Sequence, residues 1–141
     1  MLLLNIDRFQ RMNDGLGREA GDALLRELAA RLQKQLRASD VVARLDGDEF
    51  AVLAHELPTP QDAEPIARKL LEAVSAPVVI QGQEFRVTAG AGIVTYPQDA
   101  QDERSLMKQA NLALRAAKRE GMNTLRFCDA ASKPRGERAP A

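Results

Sequence analysis

Arg44-Leu45-Asp46-Gly47-Asp48-Glu49-Phe50 is the stretch whose reading decides the fold. It sets three carboxylates and a glycine between two apolar runs, residues 41–45 and 50–54. An Asp-Gly pair between apolar runs predicts a β-hairpin, because the turn needs positive φ and these residues tolerate it. Acids crowded on one turn repel one another unless a cation sits among them. The turn therefore reads either as a divalent-cation site or as a solvated surface hairpin.

Working outward, Leu2-Leu3-Leu4-Asn5-Ile6 predicts a buried strand at the start of the chain, and residues 7–17 a short helix or loop. Leu24, Leu25, Leu28, Leu32 and Leu36 have the spacing of one helix face across 22–37. Beyond the hairpin, Pro58-Thr59-Pro60 breaks the chain. Ala63, Ile66, Ala67, Leu70, Leu71 and Val74 then predict a helix over 61–74. Residues 77–80 and 85–95 read as strands around Gly82, the second ended by Pro97. Ser105 is expected to cap a helix that runs to Arg119 and stops at Gly121, and 124–127 reads as a last short strand. The expected architecture is one α/β domain over 1–128, a mixed central β-sheet flanked by helices, with 129–141 a disordered tail or linker. The Asp-Gly turn is expected at a sheet edge. The loop after the first strand would approach it and bring Asn5, Asp7, Asp48 and Glu49 into one oxygen-rich site.

Composition narrows the chemistry. The 141 residues suffice for one real core. Twenty basic and 20 acidic residues leave no net charge, so nothing recommends a nucleic-acid polymer as partner. Cys128 is the only cysteine, which excludes an internal disulfide, and with His55 the only histidine zinc is disfavoured. His55 lies late in an apolar strand and reads as structural rather than as the base of a Ser/His/Asp triad. An EF-hand loop fails because Arg44 and Val42 stand where acids would be needed. Gly15, Gly17 and Gly21 are not followed by Gly-Lys-Ser/Thr, so there is no P-loop. The apolar start, 1–4, is too short to span a membrane and lacks a basic leader region, and a cytoplasmic location is expected.

Asp46-Gly47-Asp48-Glu49-Phe50 resembles the GGDEF signature of diguanylate cyclases, and the likeness extends along the chain. Ile6-Asp7-Arg8-Phe9, Asn13-Asp14 and Gly21-Asp22 resemble the family's first strand and nucleotide-binding segment. Val87-Thr88-Ala89, Gly92-Ile93 and Tyr96-Pro97 resemble its late strand. Ala113-Leu114, Ala117-Lys118, Gly121 and Asn123 resemble its last helix and turn. The resemblance implies a nucleotidyl-cyclase, palm-like GGDEF fold. It also implies chemistry in which two GTP molecules, one per domain of a homodimer, join into cyclic di-GMP and two diphosphates with Mg²⁺ or Mn²⁺. Carried over by position, Asp48 and Glu49 would be the catalytic carboxylates. The Ile6 carbonyl, Asp48 and Asn5 would face the metal. Asn13 and Asp22 would bond guanine, unless they serve as helix caps or turn residues. Backbone groups at Arg8 and Phe9, with Lys118, would hold the terminal phosphates.

Several positions depart from the family pattern. Asp46 replaces the first signature glycine, Asn5 a metal-binding Asp, and Met122 a phosphate-contacting Arg. Arg18 replaces a common His, Asn111 a common Asp, and Arg115 a common Tyr. The family's usual segment before the first strand is not seen. Together the changes act on metal charge and phosphate charge, and they imply a weak or inactive cyclase. Arg37-Ala38-Ser39-Asp40 matches the family's inhibitory product site, where an Arg fork and a carboxylate would hold cyclic di-GMP. Without the resemblance it reads as a helix-terminal Arg followed by a turn Asp. The sequence thus points to a degenerate GGDEF module of cyclic di-GMP signalling that binds a guanine nucleotide or cyclic di-GMP. A neighbouring sensory or phosphodiesterase (EAL) domain is the expected partner. The alternatives are an active or slow diguanylate cyclase and a ligand-free dimerisation module.

Overall fold

The structure is a computed structural model, and it describes residues 1–45, 47–54, 57–96 and 99–128, with Leu16 followed through its backbone only. Asp46, His55, Pro97 and the expected tail at 129–141 lie outside the described residues.

Strand β1 (Leu2–Ile6) is the middle of the sheet. Its alternation decides the layers: Leu2, Leu4 and Ile6 point to one face and are almost fully buried, while Leu3 and Asn5 point to the other. The helices α1 (Phe9–Leu16) and α2 (Arg18–Gln35) follow, then the hairpin of β2 (Val41–Arg44) and β3 (Glu49–Leu53). A single 3₁₀ turn (Pro60–Asp62) leads into α3 (Ala63–Ser75). Strands β4 (Val78–Ile80), β5 (Gln83–Phe85) and β6 (Ala89–Ile93) precede α4 (Glu103–Glu120) and β7 (Leu125–Phe127). Among the described residues the main sheet runs β2-β3-β1-β6-β7, antiparallel except for the parallel β6–β7 pair. The mixed sheet and the edge position of the hairpin are as the sequence implies.

Helices α2 and α3 pack their leucines onto the face of Leu2, Leu4, Ile6, Phe50 and Val52. Arg31 ties the two together, donating to the carbonyls of Ala73 at 3.2 Å and Ala76 at 2.7 Å at the C-terminal end of α3. Helix α4 covers the opposite face, where Leu3, Ala51, Ala110 and Leu114 meet. It lies so close that a Cβ on Gly92 would stand 2.5 Å from the Leu114 nitrogen and 2.6 Å from the Ala110 carbonyl.

Three expected boundaries are corrected. The strand predicted over 85–95 is two strands, because β5 pairs with β4 in a separate ribbon turned at Gln81 and Gly82, both at positive φ. Between them, Thr88 leaves the sheet to bond Asp7 through its carbonyl at 2.8 Å and its hydroxyl at 2.6 Å. The last helix starts at Glu103, and its cap is Asp102, whose carboxylate accepts from the Ser105 N–H at 2.7 Å; Ser105 is inside the first turn. Helix α2 starts four residues before the predicted position, at Arg18, which places Gly21 and Asp22 inside it.

Candidate functional site

The acidic turn and the end of β1 are built as one unit. Asn5 pairs in register with Glu49 on one side and with Gly90 on the other, so the three positions form a row on the face that α4 covers. The Ile6 N–H donates to the Asp48 carbonyl at 3.1 Å, and the Leu45 N–H to the Glu49 carbonyl at 2.9 Å. Gly47 takes the positive φ (52°) that the turn requires, and its carbonyl accepts from Arg44 Nε at 3.0 Å. Asp48 and Glu49 are half-buried. The Ile6 side chain is in the core, so only its backbone is available to a ligand.

Asp7 does not join this group, contrary to expectation. Its side chain is 3% exposed, and a carboxylate so buried must be paired. Lys118 Nζ donates to Oδ1, while the Thr88 hydroxyl and the Asn123 N–H (2.9 Å) donate to Oδ2. Burial pushes the Asp7 carboxyl up, but the hydrogen bonds from Lys118, Thr88 and Asn123 outweigh it and hold the group below its usual range. Lys118 also donates to the Asn5 carbonyl at 2.9 Å, so two of its three donors have acceptors within the domain. Its stem runs over Gly90, where a Cβ would stand 3.1 Å from Cε. Thr88 and Asn123 were not identified from sequence as partners of Asp7; the positive φ of Asn123 (58°), behind Gly121, is what turns its N–H inward.

Asn13 and Asp22 sit on facing helices, α1 and α2, and both are half-buried. Neither is a cap: Arg8, at positive φ, precedes α1, and Gly17 separates the two helices. That removes the capping alternative for both. A Cβ on Gly21 would collide with Asn13 Oδ1 and lie 3.2 Å from Phe9 Cζ, so glycine there leaves room for the amide. Phe9 itself is buried, and with exposed Arg8 it offers a ligand backbone groups at the start of α1.

Arg37 and Asp40 do converge, but Asp40 is not on an exposed connection. Its side chain is 2% exposed, and Arg37 grips it bidentately, Nε to Oδ2 and Nη2 to Oδ1, each at 3.1 Å. The Arg37 N–H adds a third bond to Oδ2 at 3.1 Å. The motif is a closed loop clasp with half of the Arg side chain in solvent.

A cavity of about 460 Å³ opens beside the row of Asn5 and Glu49, lined by Asn111, Arg115, Lys118 and Arg119 of α4. A hard divalent cation wants oxygen donors, and the Asn5 amide, the Glu49 carboxylate and the Ile6 carbonyl are of that type. Glu49 brings one negative charge, and Asp48 beside it on the same turn a second. Among the described residues no three His, Cys, Asp or Glu side chains gather as a metal cluster. The donor set therefore fits Mg²⁺ in kind. Met122 is 51% exposed and offers no charge to the site.

The family model of the diguanylate cyclase GGDEF domain matches residues 1–124. The cyclic di-GMP phosphodiesterase NbdA of Pseudomonas aeruginosa is 39% identical over 90% of this chain, and the bifunctional diguanylate cyclase/cyclic di-GMP phosphodiesterase MucR of the same species is 42% identical over 87%. The chain spans only 16% and 18% of those two proteins. The solved GGDEF domain of TpbB (YfiN) from P. aeruginosa superposes with a TM-score of 0.87 at 39% identity, covering 90% of this chain and 80% of that one. With its sheet order, acidic hairpin and helix packing, the chain belongs to the diguanylate cyclase GGDEF domain family.

Proposed function

We propose that this chain is a degenerate GGDEF module that binds guanine nucleotide, with catalysis severely impaired, and acts by regulating a neighbouring domain. The observation that carries the reading is the cross-strand pair of Asn5 and Glu49. An amide stands where the family supplies a carboxylate, and Asp7, the nearest other acid of the strand end, is committed to Lys118. When bound, Mg²⁺ or Mn²⁺ would neutralise phosphate charge and acidify the attacking 3′-hydroxyl. In this chain Asn5, Glu49, Asp48 and the Ile6 carbonyl would hold it. Losing one carboxylate within about 4 Å of a divalent cation removes on the order of 8 kcal/mol of attraction at an effective dielectric near 20, before the cost of desolvation is set against it. Met122 removes a phosphate contact as well.

Guanine recognition is the better supported half. Asn13 and Asp22 pair an amide with a carboxylate across α1 and α2, a donor and acceptor set suited to the guanine edge. Backbone N–H groups at Arg8 and Phe9 and the remaining donor of Lys118 would meet the phosphates. Cyclic di-GMP binding at Arg37 and Asp40 requires the clasp to exchange its internal bonds for ligand bonds. NbdA and MucR, named for cyclic di-GMP turnover, support placing this module in that signalling chemistry.

The reading is tested by restoring the family residues together, Asn5→Asp, Asp46→Gly and Met122→Arg. Turnover of GTP to cyclic di-GMP is expected to rise by about 10²-fold or more, the scale of one lost transition-state contact. No rise in either turnover or GTP affinity would overturn the assignment of the defect to these positions.

A further inference from the structure

We propose that Arg115 and Arg119 are the phosphate-binding cations of this chain, so that it holds a nucleoside triphosphate with little dependence on a divalent metal. The inference rests on the nucleotide-binding reading above and adds two residues and a metal dependence to it.

Among the described residues, the cavity beside Asn5 and Glu49 is lined by three cationic side chains, Arg115, Lys118 and Arg119, and one carboxylate, Glu49. Lys118 is already matched by Asp7 and the Asn5 carbonyl. Neither Arg115 nor Arg119 makes an ion pair among the described residues. Four residues apart on α4, they stand on one helix face and line the same opening. Like charges four residues apart on a helix repel each other, and a polyanion bound between them relieves that repulsion. Each presents a fork of donors that matches phosphate oxygens in pairs.

Two residues of the lining, Asn111 and Asn5, carry amides where the family pattern has acids. Asn111 lines the cavity one turn before Arg115; its amide donates to the Met107 carbonyl at 3.0 Å and adds no negative charge. Asn5, at the strand end, likewise contributes an amide and not a carboxylate. The described lining thus has two amides in place of acids, and Arg115 adds a cation in place of a tyrosine.

The test is calorimetry in EDTA with GTP, guanosine and inorganic tripolyphosphate, on the unaltered chain and on Arg115→Gln, Arg119→Gln and the double variant. Both positions are exposed, so the fold should survive, and thermal melting checks it. The expected result is that tripolyphosphate binds without metal, that each substitution weakens tripolyphosphate and GTP about tenfold, and that guanosine affinity is unchanged. Unchanged GTP and tripolyphosphate affinity in the double variant would overturn the inference and leave guanine binding standing. Failure of tripolyphosphate to bind the unaltered chain in EDTA would also overturn it. Tripolyphosphate binding that the variants weaken, with no binding of GTP or guanosine, would uphold the anion site and defeat the nucleotide reading.

Discussion

Asn5 and Glu49 face one another across β1 and β3, an amide beside the signature glutamate, in the row that Gly90 completes under the stem of Lys118. The pair sets the one amide of the row against the one carboxylate.

Asp7 is expected to be a folding residue before it is a functional one. Asp7→Ala removes three donors' common acceptor and leaves Lys118 without its ion-pair partner. Because Lys118 keeps partial solvent contact, the loss should be about 2–3 kcal/mol, less than for a fully buried pair, read by urea denaturation. Folding lowers the Asp7 pKa. Its stabilisation is therefore complete above the unfolded carboxyl value of about 4 and is lost as pH falls through the folded one. Asp7→Asn should flatten the stability profile in that acid range. An unchanged acid limb would contradict the assignment.

Two glycines should respond in opposite ways. Gly92→Ala drives a Cβ into the backbone of α4, at Leu114 and Ala110, and should cost about 2–3 kcal/mol of stability. Gly21→Ala meets the movable end of the Asn13 side chain. Since alanine is favoured over glycine in a helix by about 1 kcal/mol, stability should hardly fall. Guanosine affinity should drop about tenfold, because the amide is displaced. Equal loss of stability in both variants would refute the distinction.

Arg37→Ala opens the clasp on Asp40. Cyclic di-GMP affinity should fall at least about tenfold by calorimetry, since the bidentate fork is gone. Arg37→Lys should not restore it, because a single ammonium cannot reproduce the fork. Retained affinity in both would place any product binding elsewhere.

Much of this was legible in the sequence, for identifiable reasons. A run of leucines opens β1, and a leucine every three or four residues writes the buried face of α2; both are local patterns. The Asp-Gly turn marks the hairpin. What the sequence hides is long-range. Asp7 lies 111 residues from Lys118 and 116 from Asn123, so its withdrawal from the acidic site has no local sign. The break between β5 and β6 is hidden for the same reason: residues 85–95 read as one strand, and the bonds that interrupt them reach back 81 residues from Thr88 to Asp7. The burial of Asp40 is hidden too, because a short connection between helix and strand is usually solvated, whereas here the Arg37 fork pairs the carboxylate and allows it inside.

The most direct test of a nucleotide-binding module with impaired catalysis is a paired measurement on one preparation of this chain: GTP binding by calorimetry, and cyclic di-GMP formation from GTP with Mg²⁺ and with Mn²⁺. The account predicts GTP binding with almost no cyclic di-GMP formed. Robust turnover, or no binding of GTP at all, would contradict it.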